Sequence, residues 1–183
     1  MSEFSESYHL FSDRQEEGVE LLTRAKLKGY VYPAQNHWVT ILAEGSMFQE
    51  NKQLVRNNLG TLVHYIFAED HGWTLSIYER AEQVFHYDCV WEEEVDSNYG
   101  EFNLNKVVDV INANPVQNAK VTLEELQPLF HITEFEQAFE LSPAYRVAEL
   151  LGMPYYEWLS YEYVKSDMAD GDSSNIVEGL VAV

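Results

Sequence analysis

The sequence predicts an α+β protein, an antiparallel β-meander with an N-terminal helix and a C-terminal helical subdomain. Three observations carry that expectation. Between Leu62 and Trp91, three short runs rich in aromatic and β-branched residues are separated by turn-length links. Before them, Val19, Leu21, Leu22 and Ala25 form a helix-period apolar stripe. After them, capping residues and prolines punctuate a series of helix-period segments. The boundaries expected are 1–101 for the α/β portion, 102–165 for the helical portion, and 166–183 for an acidic linker and apolar tail. At 183 residues and 46% hydrophobic, the chain has enough apolar material for a core.

Ser12 followed by Gln15 resembles a capping box, and Gly29 would close a helix over Asp13 to Lys28. Tyr30 to Tyr32 and His37 to Leu42 read as strands around a Pro33–Asn36 turn, and 45–59 as a loop with a short helix. In the meander, Asp70-His71-Gly72 suits a tight hairpin. A two-residue His71-Gly72 turn sets Ile66 opposite Ile77 and Ala68 opposite Leu75. A second link at Arg80-Ala81-Glu82 sets Phe85 opposite Ile77, Tyr87 opposite Leu75 and Cys89 opposite Trp73. This register gathers apolar side chains on one face and leaves Thr74, Ser76, His86 and Asp88 on the other, beside Val63, Tyr65 and Phe67.

Asn103 caps a helix carrying Leu104, Val107, Val108 and Ile111, which stops at Asn114-Pro115. Thr122/Glu125 and Thr133/Glu136 are capping boxes, and Ser142-Pro143 to Gly152 frames another helix. Tyr155 to Val164 reads as a last, aromatic helix. The apolar tail Ile176 to Val183, across an acidic linker from Ser166, is expected either to pack back as an edge strand or to stay a free peptide that adds to a partner's sheet. Tyr145 to Pro154, followed by Tyr155 to Tyr163, resembles a helix-turn-helix core, which implies a second helix reading the major groove. That helix would present Tyr155, Tyr156, Glu157, Ser160 and Glu162, with no Lys or Arg until Lys165. Phosphate contacts need cations, so nucleic acid is not an expected partner.

Charge narrows the function classes further. The chain holds 31 acidic and 11 basic residues, a net charge of −20. Such a surface repels phosphate backbones and anionic membranes and attracts basic partners. Residues 82–101 contain seven acids and no base, and 166–183 likewise lack a base. These stretches are expected as solvated loop and tail, with Glu92, Glu93, Glu94 and Asp96 as candidate docking residues for a basic protein. Tyr155, Tyr156 and Trp158 are candidate aromatic contacts. Thr74, Ser76, His86 and Asp88 are a candidate polar patch. Catalysis there is disfavoured, because parallel side chains on a regular sheet rarely converge and no Gly-x-Ser-x-Gly turn is present. The six histidines form no HxxxH or HExxH pair, and the single cysteine allows neither an internal disulfide nor a Cys-rich metal site. No cofactor is expected. The functional expectation is a cytoplasmic, non-catalytic binding or regulatory protein of inhibitor, immunity or mimic type. The competing expectation is a small-molecule-binding protein or hydrolase with a pocket between sheet and helices.

Overall fold

A computed structural model describes residues 2–92, 94–117 and 120–183. The chain runs β1 (Phe4–Phe11), α1 (Gln15–Ala25), β2 (Gly29–Val31), β3 (Trp38–Ala43), α2 (Lys52–Asn57), β4 (Thr61–Ala68), β5 (Gly72–Glu79), β6 (Glu82–Trp91) and β7 (Val95–Tyr99). It continues through α3 (Leu104–Ala113), α4 (Leu123–Leu126), a 3-10 turn (Gln127–Phe130), α5 (Phe135–Leu141), α6 (Pro143–Leu151), α7 (Tyr161–Asp170) and β8 (Val181–Ala182). The strands form one sheet in the order β7-β6-β5-β4-β1-β3-β2-β8. Every described pairing is antiparallel, which makes the fold α+β.

The pleat divides the side chains between two layers. One face presents Trp38, Val63, Tyr65, Trp73, Leu75, Ile77, Phe85, Tyr87 and Cys89, and the C-terminal helices bury it with Leu104, Val107, Ile111, Phe130, Val147 and Leu151. The opposite face presents Tyr8, Leu10, Val39, Ile41 and Leu62, covered by α1 through Leu21 and Leu22 and by α2 through Leu54 and Val55. Among the described residues no helix is long and apolar enough to cross a membrane.

The β5–β6 register holds as expected: Ile77 faces Phe85, Leu75 faces Tyr87, Trp73 faces Cys89, and Ser76 faces His86. Its link is shorter than expected. Arg80 and Ala81 alone make the turn, Arg80 in a left-handed conformation at φ 56°, and a bulge beyond Ile77 restores the alternation. The β4–β5 register differs. Ala68 pairs with Gly72 and Tyr65 with Leu75, so the loop is Glu69-Asp70-His71 rather than His71-Gly72. That odd shift turns Val63, Tyr65 and Phe67 to the face covered by the C-terminal helices and Ile66 and Ala68 to the other. Gly72 opens β5 at φ 142°, where a Cβ would meet the Cys89 carbonyl of β6 at 2.0 Å.

Other boundaries move for local reasons. Helix α1 ends at Ala25 because Lys26 turns left-handed (φ 57°) and its N–H closes onto the Leu22 and Thr23 carbonyls. Arg14, not Ser12, is its N-cap, and the Ser12 hydroxyl accepts from the Arg14 N–H instead. Gly29 then opens β2, close enough to β3 that a Cβ would lie 2.3 Å from the Leu42 carbonyl. Asn103 caps α3, and Thr122/Glu125 forms the expected box. At α5 the reciprocal pair is Glu134 and Gln137, one residue beyond the expected Thr133/Glu136. The acidic run from Glu82 is not loop: it supplies β6 and β7. Tyr155 to Ser160 is not helical, since Tyr155 (φ 54°) and Trp158 (φ 50°) are left-handed and Ser160 caps α7. The helix-turn-helix arrangement is therefore absent from this segment. Ser166 to Asp170 belong to α7 rather than to a linker, and the tail pairs Val181 with Val31 as the sheet's edge strand.

Candidate functional site

The polar patch forms as four parallel side chains. Ser76 Oγ lies 2.8 Å from His86 Nδ1, and Thr74 Oγ1 donates to Asp88 at 2.7 Å. Asp88 therefore serves Thr74 and does not orient the imidazole, so the geometry lacks the relay that activates a nucleophilic serine. Burial lowers the His86 pKa against the opposing pull of Asp88. The hollow beside Thr74 and Asp88 measures about 50 Å³. Cys89 lies on the covered face, where burial pushes its thiol pKa up. Among the described residues no group of three or more His, Cys, Asp or Glu is placed to hold a metal ion.

A second polar network lies within the fold. His9 is fully buried, with Nε2 2.9 Å from Ser7 Oγ and Nδ1 3.2 Å from Thr40 Oγ1, which itself reaches the Pro154 carbonyl at 3.3 Å. The network closes if Nδ1–H donates to Thr40, Thr40 donates to Pro154, and Nε2 accepts from Ser7, an assignment made from the bonding pattern. Burial, with a smaller push from His64, lowers the His9 pKa to about 3. Nearby, Ser5 Oγ accepts from the Leu159 N–H at 3.3 Å, and the Glu6 N–H donates to the Leu159 carbonyl at 2.8 Å. Strand β1 thus anchors residues 154–159 to the sheet.

That anchored segment delivers Trp158 to a concave surface with apolar walls. A cavity of about 250 Å³ opens between α5, α6 and the ends of β4 and β6, with walls from Phe67, Trp91, Phe139 and Trp158. Its floor is Glu3, only 6% exposed. The Glu3 carboxylate accepts from Ser5 Oγ (3.2 Å), the Trp158 N–H (3.1 Å) and the Tyr145 hydroxyl. Trp158 reaches Glu3 from a left-handed backbone, a conformation that costs about 1–2 kcal/mol for a residue with a Cβ. Glu69 flanks the floor and accepts from the Glu3 N–H at 3.0 Å. Burial first, then the bond to Glu3, raises the Tyr145 pKa.

A broader, open depression of about 570 Å³ adjoins this cavity across Trp91, lined by Glu92, Glu94, Val95, Glu134, Phe135 and Glu136. Phe135 and Phe139 stack edge to face at 4.8 Å along α5, and they are 48% and 57% exposed. Trp158 is 43% exposed. No Lys or Arg lines either depression among the described residues.

The expected contacts divide accordingly. Glu92 and Glu94 line the open depression, with Glu92 also paired to His71 at 3.0 Å. Asp96 is exposed on β7 opposite Val90, and Glu93 lies outside the described residues. Trp158 lines the cavity, whereas Tyr155 packs on Tyr32 at 4.7 Å and Tyr156 approaches Tyr65 and Tyr145. Glu3, Glu69, Phe67, Phe139 and Tyr145 are not among the expected site residues, because four separate segments bring them together. One signal was available: Phe4, Tyr8 and Leu10 alternate with Ser5, Ser7 and His9 at strand period. Comparison of the chain with protein-family models, with curated proteins and with solved structures finds no match.

Proposed function

We propose that this chain is a non-catalytic binding protein of the cytoplasm that engages a basic protein partner, as an inhibitor, immunity protein or mimic would. The surface used is the one around α5. The observation that supports this reading is the coincidence of exposed aromatic anchors, Phe135, Phe139 and Trp158, with a rim of Glu92, Glu94, Glu134 and Glu136 that contains no base. Aromatic residues supply interface energy at a desolvated centre, and rim charges steer a partner of opposite sign. Isolated exposed apolar residues are ordinary, but several contiguous ones beside concave surface mark interaction sites.

The test is capture from native lysate by immobilised wild type and by a variant carrying Glu92→Gln, Glu94→Gln, Glu134→Gln and Glu136→Gln. A basic protein retained by wild type at low salt, released by high salt and lost from the variant supports the reading. Equal retention by both proteins contradicts it. A second reading, a small-molecule-binding protein, is favoured by the 250 Å³ cavity above Glu3. It predicts saturable binding of a low-molecular-weight compound that does not depend on the rim carboxylates.

A further inference from the structure

We propose that the cavity floored by Glu3 is an arginine pocket, which receives one arginine side chain presented by the basic partner. This rests on the reading of the chain as a binder of basic proteins and names the contact at its centre.

The floor carries no countercharge among the described residues. Glu3 is more than nine-tenths buried, and its donors are a serine hydroxyl, a tyrosine hydroxyl and a backbone N–H, all neutral. Glu69 stands beside it on the same cavity. No ion pair to either carboxylate occurs among the described residues. Removing a carboxylate from water is expensive without a countercharge, and two carboxylates on one cavity add mutual repulsion. A cation entering from outside relieves both terms. The hydroxyl of Tyr65 adds a second irregularity, being buried without a hydrogen-bond partner.

The walls select among cations. The Phe67 ring lies 6.4 Å from that of Trp91 and 5.0 Å from that of Tyr145, tilted to both, and Phe139 and Trp158 close the opening. Flat aromatic surfaces beside two carboxylates suit guanidinium, which stacks on rings, offers several N–H donors in one plane and is weakly hydrated. A lysine ammonium is compact and strongly hydrated, and it gives up more solvation to enter. The left-handed turn at Trp158 also acquires a purpose, because it aims an N–H at Glu3 while leaving the indole on the rim.

The test titrates the full chain with acetyl-Gly-Ser-Arg-Ser-Gly-amide and with its lysine and citrulline counterparts, read by the indole N–H signals of Trp91 and Trp158. The arginine peptide should shift both signals saturably, with the lysine peptide about threefold or more weaker and the neutral citrulline peptide inert. Glu69→Gln and Phe139→Ala alter exposed side chains and should each weaken the arginine peptide about threefold or more while leaving thermal unfolding in place. Glu3→Gln should weaken it most. If that variant fails to fold, the other two carry the test. Equal binding of citrulline or lysine, or unchanged affinity in both Glu69→Gln and Phe139→Ala, overturns the assignment. Should a captured basic protein bind the two variants as tightly as wild type, the pocket is refuted while the proposed function stands. Should the arginine peptide bind while no basic protein is retained, the proposed function fails and the pocket's chemistry survives.

Discussion

Acid should destabilise this fold through one histidine. His9 is fully buried and its pKa falls to about 3, whereas an unfolded histidine titrates near 6.5. Between those values the unfolded chain binds a proton at this position and the native chain does not. The group's contribution is therefore complete above about pH 6.5 and is lost progressively as pH falls toward 3. Between pH 7.5 and 4.5 the loss amounts to about 2 pH units of linkage, or about 2.7 kcal/mol. The control is His9→Gln, which keeps an amide in place of Nε2 to meet Ser7 and removes the titration. Urea unfolding of both proteins at pH 7.5, 6.5, 5.5 and 4.5 isolates the term, since the carboxylates contribute equally to each. Wild type should lose about 2–3 kcal/mol more than the variant over that range. A differential under about 1 kcal/mol would refute the reasoning, because it would mean that His9 is protonated in the native state or is reached by water. Since His9 bonds to Thr40, and Thr40 to Pro154, the same acidification should expose the 154–159 segment to hydrogen exchange first.

Three further outcomes follow from the geometry. Gly72→Ala should cost about 2 kcal/mol or more, read as a fall in the urea midpoint, because its φ and the Cys89 carbonyl at 2.0 Å both oppose a Cβ. Ser76→Ala should cost about 1 kcal/mol by the same measurement, as it leaves the half-buried His86 without its hydroxyl partner. Esterase, peptidase and phosphatase substrates should turn over at the buffer-blank rate with wild type and with His86→Ala alike. A rate lost specifically in His86→Ala would restore a catalytic role to the patch.

The β5–β6 pairing was readable because both strands alternate cleanly and the bulge at Ile77 compensates for the shorter turn. The β4 face was misread for a matter of one loop. Val63, Tyr65 and Phe67 are as apolar as Leu62, Ile66 and Ala68, so composition does not choose between the faces, and the length of the Glu69–His71 turn does. Strand β1 escaped notice because three of its inward positions are Ser5, Ser7 and His9, which satisfy one another or the 154–159 segment instead of contributing hydrophobicity. The aromatic run at Tyr155 suggested helix. Its conformation is set by tertiary bonds: the Trp158 N–H to Glu3 and the Leu159 N–H to Ser5. The rim acids Glu92 and Glu94 were visible as a charge run. The cavity was not, because a buried glutamate at position 3 looks no different in sequence from an exposed one.

The most direct measurement of the central claim is the association rate of a captured basic partner against ionic strength. It compares wild type with the variant neutralised at Glu92, Glu94, Glu134 and Glu136. Exposed rim charges steer encounter and are screened beyond about 10 Å at 0.1 M salt. Wild type should therefore associate at least about tenfold faster at 10 mM than at 500 mM salt, with dissociation nearly unchanged. The variant should associate slowly at every salt concentration, with thermal stability close to that of wild type. Indistinguishable salt slopes for the two proteins would show that these carboxylates only solvate the surface, and the account of a binding face around α5 would be contradicted.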